Sequence, residues 1–158
     1  MKNKSIYVLA LIWLIIDQVT KFIVKSVLEF AREYVIIPNF FSFYYVENEG
    51  AAFSSFTGHT LLLIIISIIC LGVIINVIQK ENTNSKFINF SLGILLGGMI
   101  GNLIDRIFIH RVIDFLSFNI FGYKFPVFNV ADIGITCGVA LYLVLTTIYD
   151  RKIRKDMV

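Results

Sequence analysis

Hydrophobic residues fall in four long runs along the chain, separated by segments in which polar residues are frequent. The runs cover residues 6–27, 60–78, 87–108 and 130–149. Each is close to the roughly 20 residues that an α-helix needs to cross the hydrocarbon core of a bilayer. The pattern therefore predicts an all-α transmembrane fold, a four-helix membrane bundle.

The segment between the first two runs, residues 28–58, has a different pattern, because apolar and polar residues partly alternate and aromatic residues are frequent. Residues 34–37, a Pro38-Asn39 turn and residues 40–46 predict two or three short strands. Such a small β-sheet could lie on the outer membrane surface, with Phe and Tyr side chains at head-group level. An aromatic belt without ordered strands is the alternative.

Lysine and arginine cluster at the two chain ends and between the second and third runs. They are Lys2, Lys4, Lys80, Lys86, Arg151, Lys152, Arg154 and Lys155. Four crossings place all of them on one side, which the positive-inside rule assigns to the cytoplasm. Both termini are therefore expected in the cytoplasm. The N-terminal run resembles a secretory signal peptide, but no small-residue cleavage site follows it, so we interpret it as a retained first helix.

Composition agrees with a membrane protein, since 58% of the 158 residues are hydrophobic and 16% are charged. A soluble core of this size cannot bury so much apolar surface. The net charge is only +3, and no basic run is interleaved with aromatics, so a nucleic-acid partner is not expected. Cys70, Cys137, His59 and His110 stand apart from one another in the sequence, so no metal site is expected.

Glycines recur at helical spacing in the last two runs. Gly93, Gly97 and Gly101 lie four residues apart, and Gly134 and Gly138 repeat the interval. In lipid, small residues at this spacing allow helix backbones to approach closely for van der Waals contact. Helices three and four are therefore expected to pack against each other.

Ionisable side chains within a membrane span are costly and are functional candidates by default. Asp17 and Lys21 lie one helical turn apart and can pair. Similar polar groups occur near the outer ends of the third and fourth runs and between them. They are Asn102, Asp105, Arg106, Asp114, Asn129 and Asp132. In the predicted topology all of these residues map to the outer third of the bilayer, where we expect them to converge.

Carboxylates outnumber cations in this group, since Lys21 and Arg106 can neutralise only two of the four aspartates. Two carboxylates held together at low dielectric cannot both ionise, so they share one proton. An aspartic protease requires this state. Three alternatives stay open: polar residues that only hold the bundle together, a proton relay in a carrier or channel, and a non-enzymatic scaffold. The apolar inner halves of helices three and four count against a relay.

Five motifs occur in order along the chain. They are Asp17-Gln18-Val19-Thr20-Lys21, Asn48-Glu49-Gly50-Ala51-Ala52-Phe53, Gly97-Gly98-Met99-Ile100-Gly101-Asn102-Leu103-Ile104-Asp105-Arg106, Val112-Ile113-Asp114-Phe115 and Phe128-Asn129-Val130-Ala131-Asp132. Together they resemble the motifs of the lipoprotein signal peptidases, also called signal peptidase II. Each motif is weak alone, but their joint order on a four-helix chain is highly specific. The resemblance covers essentially the whole chain.

This resemblance implies a bacterial inner-membrane aspartic endopeptidase that cleaves the signal peptide from diacylglyceryl-modified prolipoproteins, just before the lipidated cysteine. It implies Asp114 and Asp132 as the catalytic pair, near the outer face of the membrane. Asp105 is the rival, but its neighbour Arg106 indicates a charge-paired, supporting carboxylate. The expected partners are the prolipoprotein and membrane lipids. The chain is expected to be a monomer and to need no cofactor.

The remaining matched residues are expected to support the site or bind substrate. They are Asp17, Lys21, Asn48, Gly50, Asn102, Asp105, Arg106 and Asn129. The outer strands could clamp the extended substrate by edge pairing. The small run from Gly50 to Ala52 would approach the substrate backbone, although a purely structural turn is the alternative.

Overall fold

The computed structural model describes residues 3–50, 57–81 and 85–156. Four α-helices form the bundle: α1 Lys4–Val27, α2 Thr60–Lys80, α3 Lys86–Ile109 and α4 Val130–Asp156. Each contains an apolar stretch long enough to cross a bilayer. The predicted four-helix membrane fold is confirmed. The helix ends lie within two residues of the predicted runs, except that α4 continues past residue 149 to Asp156.

The third helix is the centre of the bundle. In the most hydrophobic 18-residue stretch of α3, 61% of the residues are buried inside the protein. In the corresponding stretch of α2 only 11% are buried. Apolar side chains of α2 such as Leu61 and Ile69 are exposed instead. Since such surface is favourable only in an apolar solvent, the exposed faces of the outer helices are lipid-facing.

Glycines set the close contacts of α3 with both of its neighbours. A Cβ atom added at Gly97 would lie 2.5 Å from the carbonyl oxygen of Ala10 in α1. One added at Gly138 of α4 would lie 2.7 Å from Leu95 Cβ of α3. The close packing of helices three and four is therefore confirmed. However, the stripe of Gly93, Gly97 and Gly101 on α3, at four-residue spacing, lies mainly against α1.

An antiparallel sheet of four strands, in the order β1-β2-β3-β4, lies at the end of the bundle where α1 and α3 end and α2 and α4 begin. The strands are β1 Glu33–Ile37, β2 Phe41–Asn48, β3 Val112–Ile120 and β4 Tyr123–Lys124. The predicted hairpin is confirmed, with Asn39 in its turn at a φ of 59°, a conformation that asparagine tolerates.

Half of this sheet comes from the segment between α3 and α4, where the sequence analysis expected no strands. The first four residues of β3 are all buried. A strand that is buried on both faces shows no alternation of apolar and polar residues, so its pattern does not reveal it.

The start of β3 is fixed between helix ends. His110 ends α3 in the left-handed conformation, with a φ of 59°, which turns the chain back towards the bundle. Val24 of α1 then packs in one buried cluster with Tyr45, Ile113 and Phe115. This packing brings β3, and Asp114 with it, next to the C-terminal end of α1.

Candidate active site

The ten residues that the sequence analysis selected meet at this junction of helices and sheet. Eight of them form two connected groups, and Gly50 and Arg106 lie beside these groups. One surrounds the ammonium of Lys21 and is called here the Lys21 cluster; it contains Asp17, Lys21, Asn102 and Asp105. The other surrounds the side chain of Asn129 and is called the Asn129 cluster; it contains Asn48, Asn102, Asp114, Asn129 and Asp132.

Lys21 is only 2% exposed, and its Nζ lies close to three oxygen atoms. The distances are 2.9 Å to Asp17 Oδ2, 2.8 Å to Asp105 Oδ2 and 3.0 Å to Asn102 Oδ1. A lysine ammonium has three hydrogens, so every one can be used. The expected pairing of Asp17 with Lys21 is confirmed, and the second carboxylate of this pair is Asp105.

The expected pairing of Asp105 with Arg106 is wrong. Within the described part of the chain the charged partner of Asp105 is Lys21, while Arg106 Nη1 donates to the Asn102 carbonyl at 3.2 Å and Nη2 to the Gly50 carbonyl at 3.3 Å. Consecutive residues of a helix point in different directions, so adjacency in sequence does not bring their side chains together. Asp105 is charge-paired as expected, but its cation is Lys21 and not Arg106.

Asp105 also connects the helices to the sheet. Its Oδ1 accepts a hydrogen bond from Gln18 Nε2 at 3.1 Å, and its Oδ2 accepts one from the Ile113 backbone N–H at 3.3 Å. Since Ile113 precedes Asp114, this carboxylate helps to fix the strand residue that follows.

Asp17 has a second contact, with the first turn of α4. Its Oδ1 accepts a hydrogen bond from the Ala131 N–H at 2.8 Å, and Trp13 Nε1 donates to the Val130 carbonyl at 3.2 Å. The first amides of a helix have no acceptor within the helix. Asp17 therefore supplies a cap from another helix and fixes α4 relative to α1.

Asn129 and Asp132 cap the same helix reciprocally. The Asp132 N–H donates to Asn129 Oδ1 at 2.9 Å, and the Asn129 N–H donates to Asp132 Oδ2 at 3.1 Å. This is the arrangement of a capping box, here with aspartate at its third helical position. The N-terminal dipole of a helix stabilises a negative charge at this position, which suits an ionised Asp132.

Asp114 lies on β3 and is 3% exposed. Its Oδ1 accepts a hydrogen bond from Asn129 Nδ2 at 2.7 Å, and its Oδ2 accepts one from Asn48 Nδ2 at 3.0 Å. Burial, together with the negative charge of Asp132, raises the pKa of Asp114 to about 7. Asp114 can thus carry a proton near neutral pH.

Asn102 links the two clusters. Its Oδ1 accepts hydrogen bonds from Lys21 Nζ at 3.0 Å and from Asn129 Nδ2 at 3.1 Å, and its Nδ2 donates to Asp132 Oδ1 at 2.7 Å. The orientation of this amide is therefore set by the cation on one side and the carboxylate on the other.

Asn48 and Gly50 reach the site from the end of β2. Asn48 Oδ1 accepts a hydrogen bond from the Gly50 N–H at 2.9 Å, which closes a tight turn. The Gly50 carbonyl in turn accepts from Arg106. The other two residues of the small run, Ala51 and Ala52, lie outside the described residues.

Two contributors to the site were missed by the sequence analysis, although Gln18 stands in the first motif. Gln18 Nε2 lies 3.2 Å from Asp17 Oδ2 and 3.1 Å from Asp105 Oδ1, and Trp13 ties α1 to α4. The available signal was their polarity within an apolar run, because a buried amide or indole N–H needs an acceptor.

This fold and this network define a multi-pass membrane protein in which two aspartates, one on a strand and one at a helix N-terminus, are bonded to the same asparagine. A comparison with protein families identifies the family of this membrane protein. The family model for signal peptidase (SPase) II matches residues 9–148. The chain belongs to the signal peptidase II family.

Named relatives of this chain agree with the family assignment. The lipoprotein signal peptidase of Listeria monocytogenes serotype 4a (strain HCC23) is 39% identical over 146 residues, which is 92% of this chain and 95% of that protein. That of Anoxybacillus flavithermus is 39% identical over 151 residues, covering 96% and 89%.

Two solved structures, both described as a bacterial membrane enzyme, share the fold. The first has a TM-score of 0.84 at 33% identity, covering 93% of this chain and 89% of that one. The second has a TM-score of 0.80 at 34% identity, covering 90% and 92%.

Proposed function

We propose that this chain is an aspartic endopeptidase of the bacterial cytoplasmic membrane. It removes the signal peptide from diacylglyceryl-modified prolipoproteins by cutting just before the lipidated cysteine, with Asp114 and Asp132 as the catalytic pair. The observation that carries the proposal is that Asn129 holds both carboxylates, its side chain on Asp114 and its backbone N–H on Asp132. Membership of the signal peptidase II family supports the substrate class.

The two aspartates have different environments and therefore different roles. Asp132, at the N-terminus of α4, is the ionised member and takes a proton from the attacking water. Asp114 is protonated and gives its proton to the scissile carbonyl oxygen as the water adds, so that negative charge does not accumulate there, and it takes this proton back when the carbonyl re-forms. The C–N bond then breaks as the amine nitrogen receives the proton that water gave up.

A proton relay across the bilayer is less well supported. A relay needs ionisable groups at successive depths, but the residues of α3 from Phe87 to Gly101 include no Asp, Glu, Lys, Arg or His, and neither do those of α2 before Lys80. The clusters also complete the proposed site with residues of a single chain, which supports a monomeric enzyme.

The direct test is cleavage of a synthetic prolipoprotein peptide by the purified full-length chain in detergent. We expect one cut before the cysteine when that residue carries diacylglycerol, detected by mass spectrometry. The peptide of the same sequence without lipid is the matched control and should stay intact. If neither peptide is cleaved by folded protein, the proposed activity is wrong.

The orientation in the membrane is a separate proposal, based on the distribution of Lys and Arg. We expect reporter fusions to place Lys2, Glu81 and Lys155 in the cytoplasm, and Asn39 and Gly122 outside. Both clusters would then lie near the outer face, where a lipidated cysteine is located. A cytoplasmic reporter signal at Asn39 would contradict this arrangement and the outer active site.

The pH dependence of cleavage should report on Asp114. Its protonated form is the active one, so activity is expected to fall as pH rises through the pKa of about 7. The hydrogen bond from Asn48 lowers this pKa. Asn48→Ala should therefore move the alkaline fall of kcat/KM to higher pH, by up to about one unit if the bond contributes about 1 kcal/mol.

The matched control for this shift is Asn89→Ala, which removes an amide bonded to Ser5 at the opposite end of the bundle. Its pH profile should coincide with that of the wild type. An unshifted profile in Asn48→Ala would mean that Asp114 is not the group that limits activity at high pH.

Asp105→Asn distinguishes the supporting carboxylate from the catalytic pair. The amide keeps the shape of Asp105 and can still accept from the Ile113 N–H, but it loses its charge opposite Lys21. We expect cleavage to fall by about 10- to 100-fold, as for a misaligned site, without vanishing. The remaining activity should keep the pH profile of the wild type, in which the alkaline fall reports on Asp114.

The opposite result would reassign the pair. If Asp105→Asn is as inactive as Asp132→Asn while Asp114→Asn still cleaves, Asp105 and Asp132 are the catalytic residues.

A further inference from the structure

A cavity of about 220 Å³ lies on the sheet, separate from the two clusters. Ser42 and Ser117 form its floor; they are buried and directly opposite each other on β2 and β3, so they share one face. Side chains alternate between the faces along a strand. Asp114, three residues from Ser117, is therefore on the other face of β3, and the cavity does not belong to the proposed catalytic site.

Charged side chains from opposite edges of the sheet meet at this cavity. Glu33 is on β1 and Lys124 is on β4. In a flat sheet these edges would be about 14 Å apart, which is three strand spacings. Glu33 Oε2 nevertheless lies 3.6 Å from Lys124 Nζ. The two long side chains therefore reach towards each other across the face of the sheet on which the serines lie.

The ion pair between Glu33 and Lys124 can be replaced by contacts with a ligand. The side chains of Lys124 and Glu33 are 72% and 41% exposed, and an exposed pair of this kind contributes little stability. The hydroxyl of Ser42 donates to Glu33 Oε1 at 2.6 Å, and this bond lowers the pKa of Glu33. Glu33 therefore keeps its negative charge and can receive another cation in place of Lys124.

The cavity also contains an acceptor that lacks a donor. Asn119 Oδ1 is buried and has no hydrogen-bond partner among the described residues. Native structures rarely leave a buried polar atom unpaired, and such an atom is a candidate for contact with a ligand. Together, Glu33 and Asn119 offer two acceptors for an N–H group, and Lys124 offers a cation for an anion.

The surroundings of the cavity are apolar and exposed. Val35, Ile37 and Phe40 line the cavity, and Phe121, Tyr123 and Phe125, which are close to Lys124 in the sequence, are exposed as well. In a membrane protein, exposed aromatic residues next to the end of a span are typical of the head-group region. The cavity begins at Glu33, six residues after the end of α1 at Val27, and is therefore within reach of lipid head groups.

We propose that this cavity binds a zwitterion in which a primary ammonium stands beside a phosphate, as in the head group of an ethanolamine phospholipid. The ammonium would donate to Glu33 and Asn119, and the phosphate would accept from Lys124. This inference does not depend on the peptidase activity, since none of these residues contacts Asp114 or Asp132.

The test is binding of short-chain phosphatidylethanolamine and phosphatidylcholine to the purified full-length chain, followed by native mass spectrometry. Choline has no N–H to donate to Asn119, so the ethanolamine lipid should bind about tenfold more tightly. Glu33→Gln and Asn119→Ala should each remove this preference. Glu29→Gln, which neutralises an exposed carboxylate paired with Arg32, is the control and should retain it.

Equal affinities of the wild type for the two lipids would overturn the proposal. So would a preference that survives in both cavity variants, provided that circular dichroism shows them folded. A third arm uses free phosphoethanolamine to distinguish the source. Weaker binding than that of the lipid identifies a membrane head group, whereas equal binding identifies a soluble phosphate ester and excludes the lipid as the specific ligand.

Discussion

Asp132→Asn is expected to reduce cleavage of a lipidated prolipoprotein peptide by about 10³- to 10⁴-fold, the upper range for the loss of a positioned acid or base. The amide has the shape of the carboxylate and can still accept the hydrogen bond from the Asn129 N–H. It cannot take a proton from water. Helix content and membrane insertion should therefore stay unchanged while turnover, measured by mass spectrometry of the released peptide, is lost.

Asp114→Asn should be equally inactive, because an amide cannot release a proton to the scissile carbonyl. Two catalytic groups that act as one unit have non-additive effects, because removing either group already abolishes their joint contribution. The double variant should therefore be no slower than either single variant. Glu81→Gln, a carboxylate at the other end of the bundle, is the control and should cleave normally. Near wild-type turnover in either aspartate variant would show that the pair is misassigned.

The helices could be predicted from the sequence because lipid restricts a spanning segment to one length and one hydrogen-bonding pattern. The hairpin of β1 and β2 was predictable from its alternation and from the turn at Asn39. Strand β3 was not, since the residues from Val112 to Phe115 are all buried and show no alternation. The sequence thus revealed only the hairpin of β1 and β2.

The site residues could be selected for a similar reason, since ionisable groups are rare in a span and each one stands out. Their pairing was predictable only within a helix, as for Asp17 and Lys21. Contacts between helices depend on which faces meet. The glycine stripe of α3 faces α1, which brings Lys21 to Asp105 and leaves Arg106 for the Gly50 carbonyl.

This arrangement makes Lys21 the most sensitive position for stability. Lys21→Met leaves Asp17 and Asp105, which are 0% and 6% exposed, without their shared cation. Removing one partner of a buried ion pair costs about 3–5 kcal/mol, because the remaining charge has lost its counter-ion and its water. We expect the free energy of unfolding, measured by denaturant titration in mixed micelles, to fall by about this amount.

Lys25→Met, one turn further along α1 at an exposed position, is the matched control and should change stability by less than about 0.5 kcal/mol. The cause is tested by the variant Asp17→Asn/Lys21→Met/Asp105→Asn, in which no uncompensated charge remains in the Lys21 cluster. Because the penalty comes from unpaired charge and not from the missing lysine itself, this triple variant should recover much of the lost stability. If it is no more stable than Lys21→Met, the penalty has another origin, such as the packing of the lysine side chain.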